Sequence, residues 1–439
     1  MRHSPMLMVT LLGAACEVSS GLVERQYCEV VPDQLPVSPV EEPLTWHRDV
    51  QPIIQARCER CHTEDDVMAP FPLTRWEDLA SRAEVIRDSV VSGRMPPWSA
   101  DDCCGRSFRL DRSLTPAELD TLVGWLDQGA PEGDPNDAPA ESVTPDWGSL
   151  SRVDLRLTMP APYLASPKQG DDELRCFLID VPEESTGGYV VGARVIPGNR
   201  DIVHHVATGL VLPEHLAEVE ALDALDDAPG WDCYGGTNVA TTGNMGGYVP
   251  GQDGMELPPG LGIAVPRGAK LILNMHYDLS AFDGVPQEDQ TSIEVMLEET
   301  VERPLVAIPV LHPLWLFDKG MALPGDFTET AYGAAWDPSV LYGRARRFEL
   351  WGAFVHMHEL GVETSFAILR QDGTQECLLH IERWDFDWQA DYWYTEPVIL
   401  EPGDQLYVEC RFLNPYGDIA WEADQEMCAA VAYGAEVLP

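Results

Sequence analysis

The chain has few basic residues for its length. Its 439 residues include 28 lysines and arginines against 73 aspartates and glutamates, which gives a formal net charge of −45. This deficit of positive charge argues against nucleic acids and anionic membrane surfaces as partners, because both repel an acidic protein. A well-hydrated acidic surface is the simplest explanation for the excess of carboxylates.

Long apolar runs are also absent. The run at residues 6–12 is too short to span a bilayer but suits a signal peptide over residues 1–16. Residues 13–16 resemble a bacterial lipoprotein cleavage box with Cys16 as the lipidated residue, although Gly13 stands where such boxes usually carry leucine. No later segment is apolar enough for a transmembrane helix. We therefore expect an exported bacterial protein, periplasmic or at the outer membrane, whose only membrane contact is a lipid anchor on Cys16.

The cysteines and one motif suggest a haem region. Eleven cysteines are many for a cytosolic protein but ordinary for an exported one. After a tether at residues 17–43, residues 44–133 have a helical pattern that contains C-x-x-C-H at Cys58, Cys61 and His62. Two thiols at this spacing bind the vinyl groups of a c-type haem, and the adjacent histidine supplies one axial ligand. A redox-active dithiol is the alternative interpretation.

The second axial ligand is expected on a later loop. Met95 precedes Pro96 and Pro97, and two successive prolines exclude a helix there. Met68 is the competing candidate. This region resembles a small class I cytochrome c, so we expect an all-α haem domain at residues 44–133.

A helix near the end of this region has clear sequence signals. Thr115, Pro116 and Glu118 form an N-cap, a first-turn proline and a capping-box glutamate. The residues that follow at helical spacing are apolar and predict a buried stripe. They are Leu119, Leu122, Val123 and Leu126.

The chain changes character after an acidic linker at residues 134–152, which is rich in proline, aspartate, glutamate and alanine. Alternating runs such as 153–157 and 271–276, separated by glycine and proline turns, predict all-β sandwich domains at residues 153–300 and 301–439. Helical patterns are scarce here, and the best is at residues 213–225.

Three histidines stand out in the first β region. His204 and His205 are adjacent, and His276 lies far along the chain. Neighbouring side chains on a regular strand face opposite ways, so the adjacent pair can share a metal only at a bulge or a strand end. The histidines without such neighbours are interpreted as surface or core residues. They are His215, His312 and His380.

A second group lies in the last third of the chain. His356 and His358 form an H-x-H motif, and on a strand both would point to one face. Met427, in a Glu-Met-Cys run, would complete a set of two histidines and one methionine. Imidazole suits copper, and a thioether selects its reduced form. Two exposed strand histidines are the alternative explanation.

The order His-His, His-Tyr, H-x-H and Glu-Met-Cys resembles the copper type II, ascorbate-dependent monooxygenases, the family of peptidylglycine α-hydroxylating and dopamine β-monooxygenases. The resemblance covers roughly residues 155–437 and implies two jelly-roll sandwiches with one copper ion in each. The ligands that it implies fall into two sets. The electron-transfer copper takes His204, His205 and His276, and the O2-binding, catalytic copper takes His356, His358 and Met427.

The resemblance also implies a function. We expect a monooxygenase that hydroxylates a C–H bond of a small, apolar organic substrate with O2, using two copper ions. The fused C-x-x-C-H region would add one haem c. Electrons would enter from a periplasmic donor through the haem, with ascorbate as the alternative reductant. The competing function is a non-catalytic copper-binding or electron-transfer protein that keeps the same scaffold.

Cysteine contexts of the family imply disulfides Cys176–Cys233 and Cys410–Cys428, with Cys377 unpaired. From the residues alone, Cys28 could pair with Cys103 or with Cys104, and the sequence does not decide between them.

Three positions depart from the peptide-amidating members of the family. Those enzymes hold a substrate carboxylate with an arginine two residues before H-x-H and with an asparagine and a tyrosine after the methionine. This chain has Phe354, Ala429 and Val431 there. A carboxylate buried against these side chains would lack a partner, at a cost of several kcal/mol. We therefore expect an apolar substrate and exclude peptide amidation.

Overall fold

A computed structural model describes most of the chain. The described residues are 22–28, 34–63, 69–138, 149–168, 172–225, 227–233, 236–249, 254–280, 284–312, 321–339, 346–420 and 426–437. The predicted signal peptide with Cys16, the Met68 alternative and much of the acidic linker lie outside these residues. Within the described part of the chain, no helix is both long and apolar enough to cross a membrane.

The chain divides into two compact units. The first unit comprises Pro32–Trp98 and Leu110–Glu302, and the second comprises Met1–Val31, Ser99–Arg109 and Arg303–Pro439. The polypeptide therefore alternates between the units. It leaves the first unit for residues 99–109, returns to it, and enters the second unit again after residue 302.

The helices of the first unit begin just before the C-x-x-C-H motif. A π-helical turn, Trp46–Val50, leads into α1, and short 3-10 turns occur at Pro135–Asp137, Glu183–Ser185 and Pro213–His215. The α-helices are α1 (Gln51–Arg57), α2 (Trp76–Ala80), α3 (Ala83–Val91), α4 (Pro116–Asp127) and α5 (Leu216–Asp223).

Helix α4 confirms its sequence prediction. The hydroxyl of Thr115 accepts a hydrogen bond from the backbone N–H of Glu118 at 3.2 Å, and the carboxylate of Glu118 accepts one from the backbone of Thr115 at 2.8 Å. This reciprocal pair satisfies donors that a helix start leaves without partners. All four apolar residues of the predicted stripe are buried, in a cluster shared with α1, α2 and α3.

The first unit also contains two main antiparallel sheets. One has the order β5-β9-β3-β6, and in the other β11 pairs with β1 and β4, while β4 also pairs with β7 and β8. Buried side chains from both sheets meet in one apolar cluster. The strands are β1 (Leu155–Thr158), β2 (Tyr163–Ala165), β3 (Asp172–Ile179), β4 (Tyr189–Ile196), β5 (Val203–Val211), β6 (Trp231–Asp232), β7 (Gly254–Glu256), β8 (Leu261–Ala264), β9 (Lys270–Asp278), β10 (Gln287–Asp289) and β11 (Ser292–Glu298).

The second unit is built from antiparallel strands in the orders β12-β21-β15-β18 and β14-β19-β16-β17. Short 3-10 turns occur at Asp102–Cys104 and Phe386–Trp388. The strands are β12 (Arg303–Val310), β13 (Ala322–Leu323), β14 (Glu329–Trp336), β15 (Phe348–His356), β16 (Gly361–Leu369), β17 (Gln375–Ile381), β18 (Tyr392–Leu400), β19 (Gln405–Leu413), β20 (Ile419–Ala420) and β21 (Ala429–Glu436).

The predicted fold class, an all-α cytochrome c-like domain followed by two all-β jelly-roll sandwich domains, is wrong. The described part of the chain is mostly β-sheet, and the few helices in it do not form a separate domain. Helices α1–α4 belong to the same compact unit as β1–β11, and residues 99–109, inside the predicted haem domain, belong to the other unit. Helical periodicity identifies local helices, but it does not reveal which other part of the chain they join.

Two disulfides and a histidine attach remote segments to the second unit. Cys28 pairs with Cys103, and Cys104 pairs with Cys377. The imidazole of His380 is buried between the carboxylates of Asp101 and Glu363. Part of the predicted tether, residues 22–28, is therefore fixed to β-structure.

Candidate metal centres

The first candidate centre lies where β5 pairs with β9. His205 is opposite His276 in the register, and the register shifts between Val203 and His205. This bulge places His204 beside His205 instead of on the opposite face, and their ring centroids are 4.1 Å apart. The sequence analysis predicted that the two adjacent histidines could share a metal only at such an irregularity.

The three rings present their Nδ1 atoms to one another. The Nδ1 atom of His276 is 3.1 Å from that of His205 and 3.5 Å from that of His204. One ligand nitrogen from each residue lies within 4.8 Å of the others. Nitrogens bound at about 2.0 Å to one metal in a trigonal arrangement would be roughly 3.5 Å apart, so the spacing fits a shared ion.

Asp172, at the start of β3, fixes the chemical state of His276. Its carboxylate accepts a hydrogen bond from Nε2 of His276 at 2.9 Å. With the proton on Nε2, Nδ1 presents a lone pair toward the other two rings. Such carboxylate–histidine pairs orient metal-binding imidazoles and increase their basicity. No sequence signal marked Asp172, which is 104 positions from His276.

The second candidate centre lies at the end of β15. The strand ends at His356, and His358 lies in the turn that follows, so the predicted strand covers only the first of these histidines. Their ring centroids are nevertheless 5.0 Å apart. A turn, not strand alternation, therefore brings the two imidazoles together.

Gln389 fixes the orientation of His356. The Nδ1–H of His356 donates to the amide oxygen of Gln389 at 2.6 Å, while the amide nitrogen of Gln389 donates to the carbonyl of Phe386 at 3.0 Å. Burial and the nearby charge of His358 lower the pKa of His356 to about 4. The ring is consequently neutral at neutral pH, with Nε2 as its ligand atom.

Glu426 joins the H-x-H turn to Met427. Its fully buried carboxylate accepts hydrogen bonds from the backbone N–H groups of His358 and Met427, both at 2.6 Å, and from that of Leu360 at 3.0 Å. Burial raises the pKa of Glu426 to about 7, against the opposing effect of these hydrogen bonds. The same side chain thus fixes the backbone of two predicted ligands.

Aromatic residues surround this centre. Trp384 donates its indole N–H to the carbonyl of His358 at 3.1 Å, and the ring of Phe386 lies 6.0 Å from that of His358. The ring of Phe354 is stacked on that of His356 at 6.2 Å. The sequence prediction missed residues 384–389, although their density of aromatic side chains was a usable signal.

The positions that depart from the peptide-amidating pattern lie on neighbouring strands. Phe354 pairs with Val431, and His356 pairs with Ala429, in the β15–β21 ladder. Paired residues and those two positions apart share one face of a sheet. The face of β15 that carries His356 is therefore apolar at all three of these positions.

The C-x-x-C-H motif begins directly after α1. Cys58 and Cys61 form no disulfide, and Nδ1 of His62 donates to the carbonyl of Phe71 at 2.8 Å. A backbone carbonyl on Nδ1 leaves Nε2 as the ligand atom, as an axial haem ligand requires. Cys58 and Met95 both pack against the buried helical cluster. The motif and the surrounding residues therefore fit a covalently attached haem.

Four cysteine pairs are at disulfide distance. Cys176–Cys233 and Cys410–Cys428 are the pairs that the resemblance implies. Cys28 pairs with Cys103, one of the two partners left open by the sequence. The prediction that Cys377 is unpaired is wrong, because it pairs with Cys104 across 273 positions. No local pattern links residues so far apart.

A further group of possible metal ligands lies in the second unit. It contains Cys28, Asp101, Cys103 and His380. The two sulfurs are joined in a disulfide, which removes the thiolates that a metal would need. His380 is a core histidine, in agreement with its interpretation from the sequence.

No protein-family model matches the chain, and no curated protein matches it. Among solved structures, PNGF-II matches over 65% of this chain and 66% of that one, with 9% identity and a TM-score of 0.27. The VP2 subviral particle of infectious bursal disease virus matches over 66% and 73%, with 9% identity and a TM-score of 0.14. The coconut allergen cocosin matches over 65% and 86%, with 10% identity and a TM-score of 0.12. TM-scores this low assign neither fold nor function to the chain.

Proposed function

We propose that the protein is an exported copper-dependent monooxygenase that hydroxylates a C–H bond of a small, apolar organic substrate. The observation that carries this proposal is the convergence of three Nδ1 atoms from His204, His205 and His276, with Asp172 on the far side of His276. The pair of histidines at His356 and His358 supports a second copper site.

When bound, the two copper ions would supply one-electron redox centres and the activation of O2. The chain contributes the orientation of the ligands. Gln389 holds His356 with Nε2 as its ligand atom, and Met427 would add the thioether that favours reduced copper. Phe354 and Phe386 offer aromatic surface for the substrate beside these histidines.

We extend the proposal to a c-type haem on Cys58 and Cys61, with His62 and Met95 as axial ligands. When bound, this haem would supply an entry point for electrons from a periplasmic donor, with ascorbate as the alternative reductant. The hydrogen bond from His62 to Phe71 supports the histidine assignment. Because disulfides persist in oxidising compartments, the four pairs support export, and a lipid on Cys16 would be the membrane anchor.

The test is turnover with isotopically labelled O2. Copper-loaded protein, with ascorbate as the reductant, is supplied with a panel of small apolar compounds, and products are analysed by mass spectrometry. We expect one labelled oxygen atom in a product, O2 uptake matched to substrate loss, and no product from a His356→Ala variant. Stoichiometric copper binding without labelled product from any compound would favour the competing function, a non-catalytic copper-binding or electron-transfer protein.

A further inference from the structure

We infer that Glu426 is a positioning residue that holds His358 and Met427 in the geometry that binds reduced copper. This inference rests on the proposed function, because it concerns the second copper centre. Glu426 is not offered as a ligand or as a group that touches substrate. Its role is to act through the two segments that carry the ligands.

The hydrogen bonds of Glu426 account for this role. One oxygen, Oε2, accepts from the backbone N–H groups of both His358 and Met427, at 2.6 Å each. The other oxygen, Oε1, accepts from the backbone N–H of Leu360 at 3.0 Å. These hydrogen bonds converge on one fully buried side chain, so they restrict the backbone segments that donate them.

The position of Glu426 in the chain strengthens the inference. The carboxylate links Met427 to a turn that lies 68 positions before Glu426, at His358. On its other side, Met427 is followed by Cys428, which is held by its disulfide to Cys410. The methionine therefore lies between two fixed neighbours, although its own flexible side chain specifies little.

An acidic side chain suits this position better than a neutral one. A carboxylate presents only acceptors, and every group that faces Glu426 in these contacts is a backbone donor. A glutamine amide would direct an NH2 group at one or more of these N–H groups. The turn and the Met427 segment would then separate, and the thioether would no longer be held for a shared ion with the two histidines.

The experiment compares Glu426→Gln with Glu359→Gln, which changes an exposed glutamate of the same turn. Both are made in a Cys58→Ala/Cys61→Ala background, because in molecules without attached haem these two thiols would bind Cu(I). The probe is Cu(I) alone. X-ray absorption reports its sulfur ligand, and competition with a chromogenic chelator reports its affinity at each centre.

We expect the sulfur contribution in the background protein and in Glu359→Gln, but not in Glu426→Gln. Second-layer residues of metal sites typically change affinity by about 10- to 100-fold, so a loss of that size is expected at the second centre, with the three-histidine centre unchanged. A merely structural role would lower the melting temperature without removing the sulfur signal. Unchanged sulfur signal and affinity in Glu426→Gln would overturn the inference.

Two further outcomes also test the inference. If Glu426→Gln does not fold, Glu426→Asp takes its place, since its shorter carboxylate cannot reach both the His358 and the Leu360 donors. It should weaken the sulfur signal, and an unchanged signal would refute the inference. If the background protein itself lacks a sulfur ligand, the assignment of Met427 fails, and with it the proposed catalytic centre.

Discussion

Asp172 accepts a hydrogen bond from Nε2 of His276 while the Nδ1 atom of the same ring lies 3.1 Å from Nδ1 of His205. One carboxylate therefore decides which nitrogen of His276 carries the proton. Asp172 is half-exposed at the start of β3, so its substitution tests the candidate metal centre without opening a cavity in the core.

Replacing Asp172 with alanine should weaken copper binding at the three-histidine centre by about 10- to 100-fold, because the tautomer and orientation of His276 are no longer fixed. Asp180→Ala is the matched control, since Asp180 is an exposed strand-end carboxylate in the same unit that pairs with Lys270. Titration of copper with detection by electron paramagnetic resonance measures the affinity. Equal affinities in the two variants would contradict the assignment.

Met427→Ala should lower hydroxylation by at least about 100-fold and leave copper at the three-histidine centre, because the thioether would tune only its own ion. Met255→Ala, at a half-buried methionine of the first unit, is the control and should keep normal turnover. Product formation and copper content are measured on the same preparations. Normal turnover in Met427→Ala would refute the second centre.

The haem assignment predicts colour that survives denaturation. Thioether bonds are covalent, so haem should remain with the polypeptide on denaturing gels and after acid-acetone extraction. The double variant Cys58→Ala/Cys61→Ala should abolish this retention, and Met95→Ala should keep covalent haem but change its absorption spectrum. Extractable haem in the wild-type protein would exclude the c-type attachment.

Loss of the Cys176–Cys233 disulfide should lower the free energy of unfolding of the first unit by about 2–4 kcal/mol, because both cysteines are fully buried and the bridge restricts the unfolded chain. The Cys176→Ser/Cys233→Ser variant is compared with wild type by urea denaturation, monitored by fluorescence. The Leu225→Ser variant is the control, since Leu225 is an exposed side chain of the same unit. No shift of the transition would show that the bridge does not form.

The pH dependence of the free energy of unfolding should reveal the ionisation of Glu363. Burial opposes ionisation, but hydrogen bonds from His380 and Arg25 and the charges of Arg25 and Arg411 outweigh it and lower the pKa of Glu363 from 4.5 to about 2. A carboxyl group whose pKa is lower in the folded state adds stability above pH 4.5, which is lost as the pH falls through about 2. This contribution is at most about 3 kcal/mol.

Glu363→Gln should therefore be less stable than wild type at neutral pH, and the difference should shrink between pH 5 and 2. Melting temperatures across this range measure the effect. Glu401→Gln is the control, because Glu401 is half-exposed and pairs with Arg347 in the same unit. A constant difference between wild type and Glu363→Gln down to pH 2 would exclude the linkage.

Local features were readable from the sequence because they depend on short-range chemistry. The capping box of Thr115 and Glu118 and the buried stripe of α4 follow from residues within a few positions of one another. The condition for His204 and His205 to share a metal, a strand irregularity, also follows from local geometry, and the register shift supplies it.

Features that join distant segments could not be predicted in this way. The pairing of Cys104 with Cys377, the hydrogen bond from His276 to Asp172 and the contacts of Gln389 depend on which strands become neighbours. The error in fold class has the same cause. Residues 99–109 are in the middle of a helical pattern, yet they belong to the β-rich second unit.

The bridge between Cys28 and Cys103 has a consequence for the integrity of the chain. It closes a covalent loop of 75 positions that includes the C-x-x-C-H segment. A protease that cuts once inside this loop opens a ring instead of releasing a fragment, so the two pieces should migrate together on a gel until a reductant is added. If a lipid on Cys16 anchors the protein, the nicked molecule would still be held at its membrane, and both units would stay attached to that anchor.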